Sequence, residues 1–466
     1  MNDFNKSPLL LFFVLIALIP VADLTGSSST STIASCGKID KPGYYVLTRD
    51  LAGISEDGFT CIRIAANGVV LDGQGYSIKG YGQGTGISVH GNNTVIRNIK
   101  VENYWWGISL VYPSTNNTIE SSYIHKNAQG ISSPASWGNT IVANTVSSNS
   151  ENGIYIGSRG NLIIKNVIKD NEYAGILVEG RGATDNLVAN NTLEGNNWAL
   201  VILSCQNNTI INNTVIRNAG SIIQKSSHNT MANNLIANNT HALILDSSWD
   251  NSIIENALKG NAYGLFLTNT TGNRVTGNTF ANNYYGMYID SKSGDIAYLN
   301  DFVSNSVQYV CVNCESRQGQ LNSPSPLRYR YRNRELFGIL GNYWSDYNGF
   351  DNNEDGIGDV PYFSVDPFTS SKIEVDLHPL VEPKSKYTIF TTATPTTPAT
   401  TPPPQTSPPF YTTTPTTTLT NTPPGGTQTT TLPVQGGLPS ELLVIPVALA
   451  LLLALAVALM KMKRKG

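Results

Sequence analysis

The fold of this 466-residue chain is decided by a repeated stretch, of which one copy reads Asn139-Thr140-Ile141-Val142-Ala143-Asn144-Thr145-Val146-Ser147-Ser148-Asn149. Its three Asn stand five residues apart, and apolar β-branched residues follow two places after the first and the second Asn. These intervals are too short for helices, and β-branched residues favour strands. The stretch predicts short strands joined by tight turns, with Asn at the turns because Asn tolerates left-handed backbone conformations.

Copies of this stretch recur about every 22 residues. They begin at Asn93, Asn117, Asn139, Asn161, Asn186, Asn208, Asn229, Asn251, Asn273 and Asp295. One coil buries four or five apolar side chains worth roughly 1.5–3 kcal/mol each, whereas ordering its residues costs roughly 1–2 kcal/mol apiece, so the coils must stack. The sequence predicts an all-β fold, a right-handed single-stranded parallel β-helix of ten coils with three short strands each. We expect the columns that start at Val95 and Ile124 to face inward.

Composition excludes one class of partner. Only 14% of residues are charged and the net charge is −3, whereas phosphate recognition depends on a strong basic excess. No nucleic-acid partner is indicated. The chain instead carries 50 Asn, and stacked Asn side chains can bond from coil to coil.

The two ends predict export and anchoring. Leu9 to Ile19 is an apolar run too short to span a membrane, whereas Leu442 to Met460 is long enough and is followed by basic residues. We expect a single-pass cell-surface protein whose large N-terminal part is extracellular. The predicted domains are a signal peptide (1–24), a Ser/Thr linker (25–36), the β-helix (37–310), a C-terminal cap with an Asp/Asn-rich loop (311–385), a Thr/Pro-rich stalk (386–440), a transmembrane helix (441–460) and a basic cytoplasmic tail (461–466).

Two motifs carry a family resemblance. Pro42-Gly43-Tyr44-Tyr45-Val46-Leu47 near the front, and Gly341-Asn342-Tyr343-Trp344-Ser345-Asp346-Tyr347 near the back, resemble the opening and closing motifs of NosD-like, or CASH-type, parallel β-helix proteins, including cell-surface proteins of archaeal type. The resemblance implies a β-helix of the pectate-lyase-like superfamily and a surface location. That superfamily mixes sugar-binding proteins with hydrolases and lyases, so the resemblance leaves activity open.

Metal and disulfide sites are predicted as follows. Copper, which the family's name suggests, finds little support because the five histidines are isolated. Asp351, Asn353, Asp355 and Asp359 resemble the front half of a calcium loop, which predicts a structural Ca²⁺ clamp; the alternative is an Asx-rich turn without metal. In an oxidising exterior we expect disulfides between Cys36 and Cys61 and between Cys311 and Cys314, with Cys205 a buried free thiol.

Ligand recognition is predicted along one column of the repeat. This column is the position two residues past the third Asn of each coil. Its aromatic residues are Trp105, Tyr173, Trp198, Tyr263 and Tyr285. Equivalent positions stack about 4.8 Å apart, and rings interleaved with Asn amides suit sugar chains. We therefore predict an extracellular or cell-envelope polysaccharide as partner. The alternative is that the rings stack on one another and cover the turn.

Two other functions stay open. The acidic residues of the coils are scattered and form no adjacent pair, which disfavours a glycoside hydrolase or polysaccharide lyase but leaves it as an alternative. A glycosylated rod in the cell envelope is the third possibility. It is suggested by Asn-x-Ser/Thr sequons at Asn92, Asn116, Asn190, Asn207, Asn212, Asn238 and Asn269.

Overall fold

The computed structural model describes residues 30–290, 294–312, 320–365 and 372–390. Their backbone forms a right-handed parallel β-helix with three sheets of thirteen strands each. This confirms the predicted fold class, but the predicted count of ten coils is too low, because the opening coils lack the Asn repeat. Within these ranges no helix is both long and apolar enough to cross a membrane. The predicted signal peptide, transmembrane helix and tail, and most of the stalk, lie outside the described residues.

Each coil contributes one strand to each sheet in turn. Sheet 1 contains β1 (Ser31–Ile33), β3 (Gly43–Leu47), β6 (Val69–Asp72), β9 (Val95–Arg97), β12 (Thr118–Glu120), β15 (Thr140–Val142), β18 (Leu162–Ile164), β21 (Leu187–Ala189), β24 (Thr209–Ile211), β27 (Thr230–Ala232), β30 (Ser252–Ile254), β33 (Thr271–Thr276) and β36 (Gly294–Tyr298). Sheet 2 contains β4 (Leu51–Ala52), β7 (Ser77–Lys79), β10 (Lys100–Glu102), β13 (Tyr123–His125), β16 (Thr145–Ser147), β19 (Val167–Lys169), β22 (Thr192–Glu194), β25 (Thr214–Ile216), β28 (Leu235–Ala237), β31 (Ala257–Lys259), β34 (Thr279–Ala281), β37 (Asp301–Val303) and β41 (Tyr343–Trp344). Sheet 3 contains β2 (Gly37–Ile39), β5 (Thr60–Ile64), β8 (Thr85–Val89), β11 (Trp106–Leu110), β14 (Gln129–Ser133), β17 (Ile154–Ile156), β20 (Ala174–Glu179), β23 (Trp198–Leu203), β26 (Gly220–Gln224), β29 (His241–Asp246), β32 (Tyr263–Thr268), β35 (Tyr285–Asp290) and β38 (Val307–Val312).

The repeated Asn side chains form buried ladders between the coils. Asn234, which is 1% exposed, is representative: its Oδ1 accepts from the backbone N–H of Asn213 and from the Asn213 amide. Its own Nδ2 donates to Ile210 O, Ala232 O and Asn256 Oδ1 at 2.9–3.1 Å. One amide therefore joins three successive coils, a role that needs an acceptor and a donor in the same short side chain.

The backbone role predicted for these Asn is wrong. The left-handed conformation belongs to the residue before each ladder Asn, for example Lys165, Asn233 and Glu255, with φ of 57°, 54° and 54°. Side chains of several kinds occupy that position, so the turn alone does not select Asn. The ladder Asn is selected by its amide bonds. Because these amides are buried, they do not interleave with rings on the surface, contrary to our expectation.

The first Asn triplet is one residue out of register with the ladders. Asn93 and Asn98 are exposed and left-handed, and the first ladder donor is the backbone N–H of Thr94, which bonds to Asn117 Oδ1 at 2.9 Å. Val95 is accordingly only half-buried, and Ile96 faces inward at 1% exposure, which corrects the inward column at its first position. The second column is confirmed from Ile124 onward. The coil that begins at Asn93 is the first of the Asn repeat. It needs only a backbone donor to the next coil, so no Asn is required at position 94.

Acidic residues end two of the ladders. Asp295 Oδ1 accepts from the backbone and the amide of Asn273, and Asp376 Oδ2 accepts from Asn342 N at 2.7 Å. A terminal position has no further coil to donate to, so a carboxylate, which only accepts, fits there. Asn342 itself continues the second ladder after Asn300, and β41 beside it joins sheet 2.

Two small antiparallel sheets follow the coils, and we call the described residues from 320 onward the cap. One sheet pairs β39 (Leu327–Tyr331) with β40 (Arg334–Gly338) and β44 (Tyr387–Phe390), and the other pairs β42 (Tyr362–Val365) with β43 (Lys372–Asp376). A 3₁₀ turn, Lys384–Lys386, precedes β44.

Cysteines occur at both ends of the coils. Cys36 and Cys61 form a disulfide across the first coil, and Cys205 is a buried free thiol. Cys311 is disulfide-bonded, and Cys314 lies outside the described residues.

Candidate functional site

The outward face of sheet 3 changes character along the β-helix. Strand register aligns its central column, the sheet-3 column, which contains Lys38, Arg63, Ser88, Ser109, Ser132, Tyr155, Leu177, Val201, Ile222, Ile244, Phe266, Tyr288 and Val310. The alternate positions, such as Ile87 and Ile108, are fully buried in the core. The column is cationic, then hydroxyl-bearing over three coils, and apolar or aromatic from Tyr155 onward.

Four of the five predicted aromatic positions, Tyr173, Trp198, Tyr263 and Tyr285, fall beside this column, and two of them stack directly. Tyr263 lies 5.1 Å from Tyr285 and 4.7 Å from His241, centroid to centroid, with interplanar angles of 27° and 7°. Phe266 and Tyr288 stack alongside at 5.1 Å and meet Tyr263 edge-on. Burial lowers the pKa of His241 to about 4, so this imidazole is neutral near pH 7.

Tyr173 and Trp198 lie nearer the middle of the column. Tyr173 is 38% exposed. Trp198 is half-buried against the apolar cluster that contains Leu177 and Val201. A Cβ on Gly220, in the next coil, would lie 3.2 Å from Trp198 Cζ3, so this ring extends over the gap that glycine leaves.

Trp105 lies outside the predicted column, in the turn before β11, because strand pairing aligns Trp106 and not Trp105 with Gln129 of the next coil. It is 43% exposed and meets Trp106 edge-on at 6.1 Å. Trp105 borders a wide concavity of about 680 Å³ that also contains Tyr81, which is 80% exposed. Trp105 and Tyr81 are thus accessible to a ligand, whereas the rings of the Tyr263 stack cover one another.

A second concavity lies on the other side of Trp106, and we call it the N-terminal groove. Its volume is about 350 Å³, and it is lined by Asp57, Phe59, Thr60, Arg63, Thr85, Ser88, His90, Trp106, Ser109 and Val111. Ser88 is 5% exposed, and its Oγ has no hydrogen-bond partner among the described residues. Such an orphan hydroxyl usually indicates a missing partner.

The titratable groups of the groove are perturbed. Burial and the nearby Arg63 charge lower the pKa of His90, which favours its neutral form. Burial alone would raise the pKa of Asp57, but N–H donors from Thr60 and Phe59 outweigh it and hold that pKa below its ordinary value. Asp57 is therefore a charged carboxylate whose Oδ1 is bound to its own loop.

Sequence reasoning missed this groove, although a signal exists. The triplet Gly-Ile-Ser occurs at 86–88, 107–109 and 130–132, and its Ser supplies the hydroxyls of the sheet-3 column. The glycines are required by close approach: a Cβ on Gly130 would lie 2.5 Å from Gly153 O.

The predicted calcium loop is held by its own hydrogen bonds. Asp351 accepts from the N–H groups of Asp355 and Gly356, Asp355 Oδ1 accepts from Ile357, and Asp359 Oδ2 accepts from Asn352. Asn353 Oδ1 likewise accepts from Asp355 N. In the described part of the chain, no group of three His, Cys, Asp or Glu side chains is placed to hold a metal ion. Calcium is thus not supported, and the loop has the geometry of the Asx-rich turn.

The five histidines are separated along the molecule. His125 stacks on Tyr123 and lies 3.4 Å from Glu102, His228 lies 3.9 Å from Asp250, and His378 bonds to Asn322. His90 lies in the N-terminal groove and His241 in the aromatic stack. No pair converges on one point, so these residues do not fit a copper site.

Comparison with solved structures finds similar proteins at low identity. The A-module of mannuronan C-5 epimerase AlgE4 from Azotobacter vinelandii is 18% identical, with a TM-score of 0.47 over 60% of this chain and 90% of that one. Alginate lyase AlyF-OU02 is 15% identical, with a TM-score of 0.38 over 70% and 75%. The tailspike of E. coli bacteriophage HK620 is 12% identical, with a TM-score of 0.35 over 60% and 67%.

Comparison with the curated proteins finds no match. The model of one family, described as "Periplasmic copper-binding protein (NosD)", matches residues 42–216 and 182–349. These matches span most of the β-helix and include the closing motif, so the chain belongs to the NosD family.

Proposed function

We propose that this protein is a membrane-anchored, cell-surface β-helix that binds polysaccharide on the outward face of sheet 3. The observation that carries the proposal is the accessible aromatic surface around Trp105 and Trp106, which separates two concavities lined with hydroxyl groups and cations. Sugars present apolar C–H faces that stack on rings and hydroxyls that form hydrogen bonds. A protein ligand would need a larger continuous apolar contact.

The Tyr263 stack has a different role from Trp105. Its rings cover one another along the helix axis, as the alternative interpretation of the column expected, so they offer edges to solvent rather than faces. Tyr284, which is 56% exposed, adds an accessible ring beside Tyr285. We propose that this end supports an extended chain whose tightest contacts are at Trp105.

The sequons all lie between strands. Asn116 and Asn207 precede strands of sheet 1, and Asn190 and Asn212 precede strands of sheet 2. The other three lie in turns, at Asn92, Asn238 and Asn269. Asn238 precedes β29 and Asn269 directly follows β32, so glycans at these two positions would border sheet 3, and the sequons do not single out one uncovered face.

A glycan array with the full chain in detergent tests the proposal. Trp105→Ala should weaken the retained glycan by about tenfold, a typical loss for one stacked ring. Trp249→Ala is the matched control, because Trp249 is 44% exposed and precedes a strand of sheet 1. Equal binding by both variants would place the ligand elsewhere. An array without any retained glycan would favour the alternative of a structural rod.

One observation supports the enzymatic alternative, a glycoside hydrolase or polysaccharide lyase. Asp246 and Asp290 are aligned on the outward face of sheet 3, two coils apart, with Thr268 between them. This separation corresponds to roughly 9.6 Å, close to the spacing of inverting glycosidases. Reducing ends released from a polysaccharide panel, and lost in Asp246→Asn, would establish catalysis.

The family's description raises copper binding, which the described histidines and cysteines do not support. Calcium binding by Asp351, Asn353, Asp355 and Asp359 is left as a hypothesis that calorimetry with millimolar Ca²⁺ can test.

A further inference from the structure

Two stacked cations begin the sheet-3 column, and one of them, Arg63, lines the N-terminal groove. Lys38 and Arg63 are register partners in adjacent coils, about 4.8 Å apart along the helix axis, and both are exposed. Neither forms an ion pair with a described carboxylate. Like charges placed opposite each other in a sheet repel, so the fold keeps an unfavourable arrangement that an anion would relieve.

Hydroxyl donors continue the same column. Ser88 is the register partner of Arg63, and Ser109 and Ser132 follow in the next two coils. The Ser88 hydroxyl is buried, lines the groove and has no described partner. Leaving a buried hydroxyl unsatisfied costs free energy that a ligand oxygen would recover.

The other charged group of the groove offsets only part of this positive charge. Asp57 directs its Oδ1 to Ser55 Oγ and to the N–H groups of Phe59 and Thr60, and the nearby charge of Arg63 also lowers the pKa of Asp57. One carboxylate against two cations leaves a net positive charge. Neutral His90 adds no charge, since burial and Arg63 lower its pKa. The rings of Phe59 and Trp106, 6.1 Å apart, border the groove and can contact a sugar ring.

We propose that the N-terminal groove binds the oxyanion group, a carboxylate or a sulfate, of a charged saccharide. Arg63 supplies a planar fork that matches such oxygens, Lys38 adds charge, and Ser88 donates from the groove wall. This inference rests on the proposed function and specifies the ligand class and the residues that select it.

Two matched pairs of polymers test it with the full chain by titration calorimetry. One pair is oligogalacturonate and its methyl ester, and the other is dextran sulfate and dextran. We expect the charged member of at least one pair to bind, and its neutral counterpart to bind at least tenfold more weakly. The pair that shows this difference identifies the bound group as a carboxylate or a sulfate. Arg63→Gln should cost about tenfold or more, whereas Arg159→Gln, an exposed arginine that removes the same charge elsewhere, should not.

Ser88→Ala separates recognition from folding. Removing an unsatisfied hydroxyl should leave the thermal midpoint unchanged or raised, while affinity for the charged polymer falls. A lowered midpoint with unchanged affinity would overturn the role of Ser88. Equal binding of charged and neutral polymers, or wild-type affinity in Arg63→Gln, would overturn the oxyanion site and leave the sugar-binding face intact. Failure of every polymer and every array glycan would overturn both.

Discussion

Replacing the ladder Asn234 by Asp tests the part of the fold on which everything else depends. The exchange keeps the size and the acceptor of the side chain but removes the amide donor. Ile210 O, Ala232 O and Asn256 Oδ1, now at 2.9–3.1 Å from Nδ2, would each lose a partner. The amide has two N–H groups, one of them shared between two acceptors, so at about 1 kcal/mol net for each N–H group we expect unfolding to become easier by about 2 kcal/mol at pH 7.

The effect should also depend on pH. The new carboxylate would be buried against acceptors, which raises its pKa, so protonation at lower pH restores one donor and part of the lost stability. Guanidinium unfolding of the full chain, followed by far-UV circular dichroism at pH 7 and pH 5, measures both values.

The neighbouring residue supplies the control. Asn233 is exposed and has φ 54°, which Asp also tolerates. Asn233→Asp should change the free energy of unfolding by less than about 0.5 kcal/mol. If Asn234→Asp is no more harmful than Asn233→Asp, the amide ladder does not hold the coils together and the reasoning fails.

Three further predictions concern the two ends and the middle of the β-helix. Burial raises the pKa of Asp376 to about 6, so the folded chain binds this proton more tightly than the unfolded chain and gains stability as pH falls from 6 to 4. The wild type should therefore gain thermal stability relative to Asp376→Asn as pH falls from 6 to 4. If the difference between their thermal midpoints stays flat or shrinks, the raised pKa of Asp376 is contradicted. Joint replacement of Cys36 and Cys61, which are 25 residues apart, by Ser should cost about 3 kcal/mol in chemical unfolding; no change would show that the first coil is held by other contacts. Gly220→Ala should displace Trp198 and shift its fluorescence, because the added Cβ would lie 3.2 Å from the ring, and an unchanged spectrum would refute that packing.

The repeat predicted the coils because its spacing is a direct consequence of stacking. The repeat could not fix the register of its own first coil, which begins at Asn93. In Asn92-Asn93-Thr94 the same residue type suits both the left-handed corner and the ladder, so Asn93 was assigned to the wrong one. The hydrogen bond from Thr94 N to Asn117, together with the exposure and left-handed φ of Asn93, distinguishes them. The ladder ends show the same limit, since Asp295 interrupts the pattern for a reason that depends on the coil after it.

The candidate site was predicted in part. Counting from the repeat located the Tyr263–Tyr285 column, but in the first triplet, which is one residue out of register, it selected Trp105 where strand pairing puts Trp106. Whether a ring offers its face or its edge depends on packing between coils. The groove around Arg63 was missed because the opening coils lack the Asn repeat that provided the alignment. Ser88 attracts attention only once its burial and its missing partner are known.

The most direct test of the central claim is a structure of the protein with its best-retained array oligosaccharide bound. The account predicts sugar density on the outward face of sheet 3, in contact with Trp105 and Trp106 and reaching the groove at Arg63. Density on sheet 1 or sheet 2, or an empty sheet-3 face at saturating oligosaccharide, would contradict it.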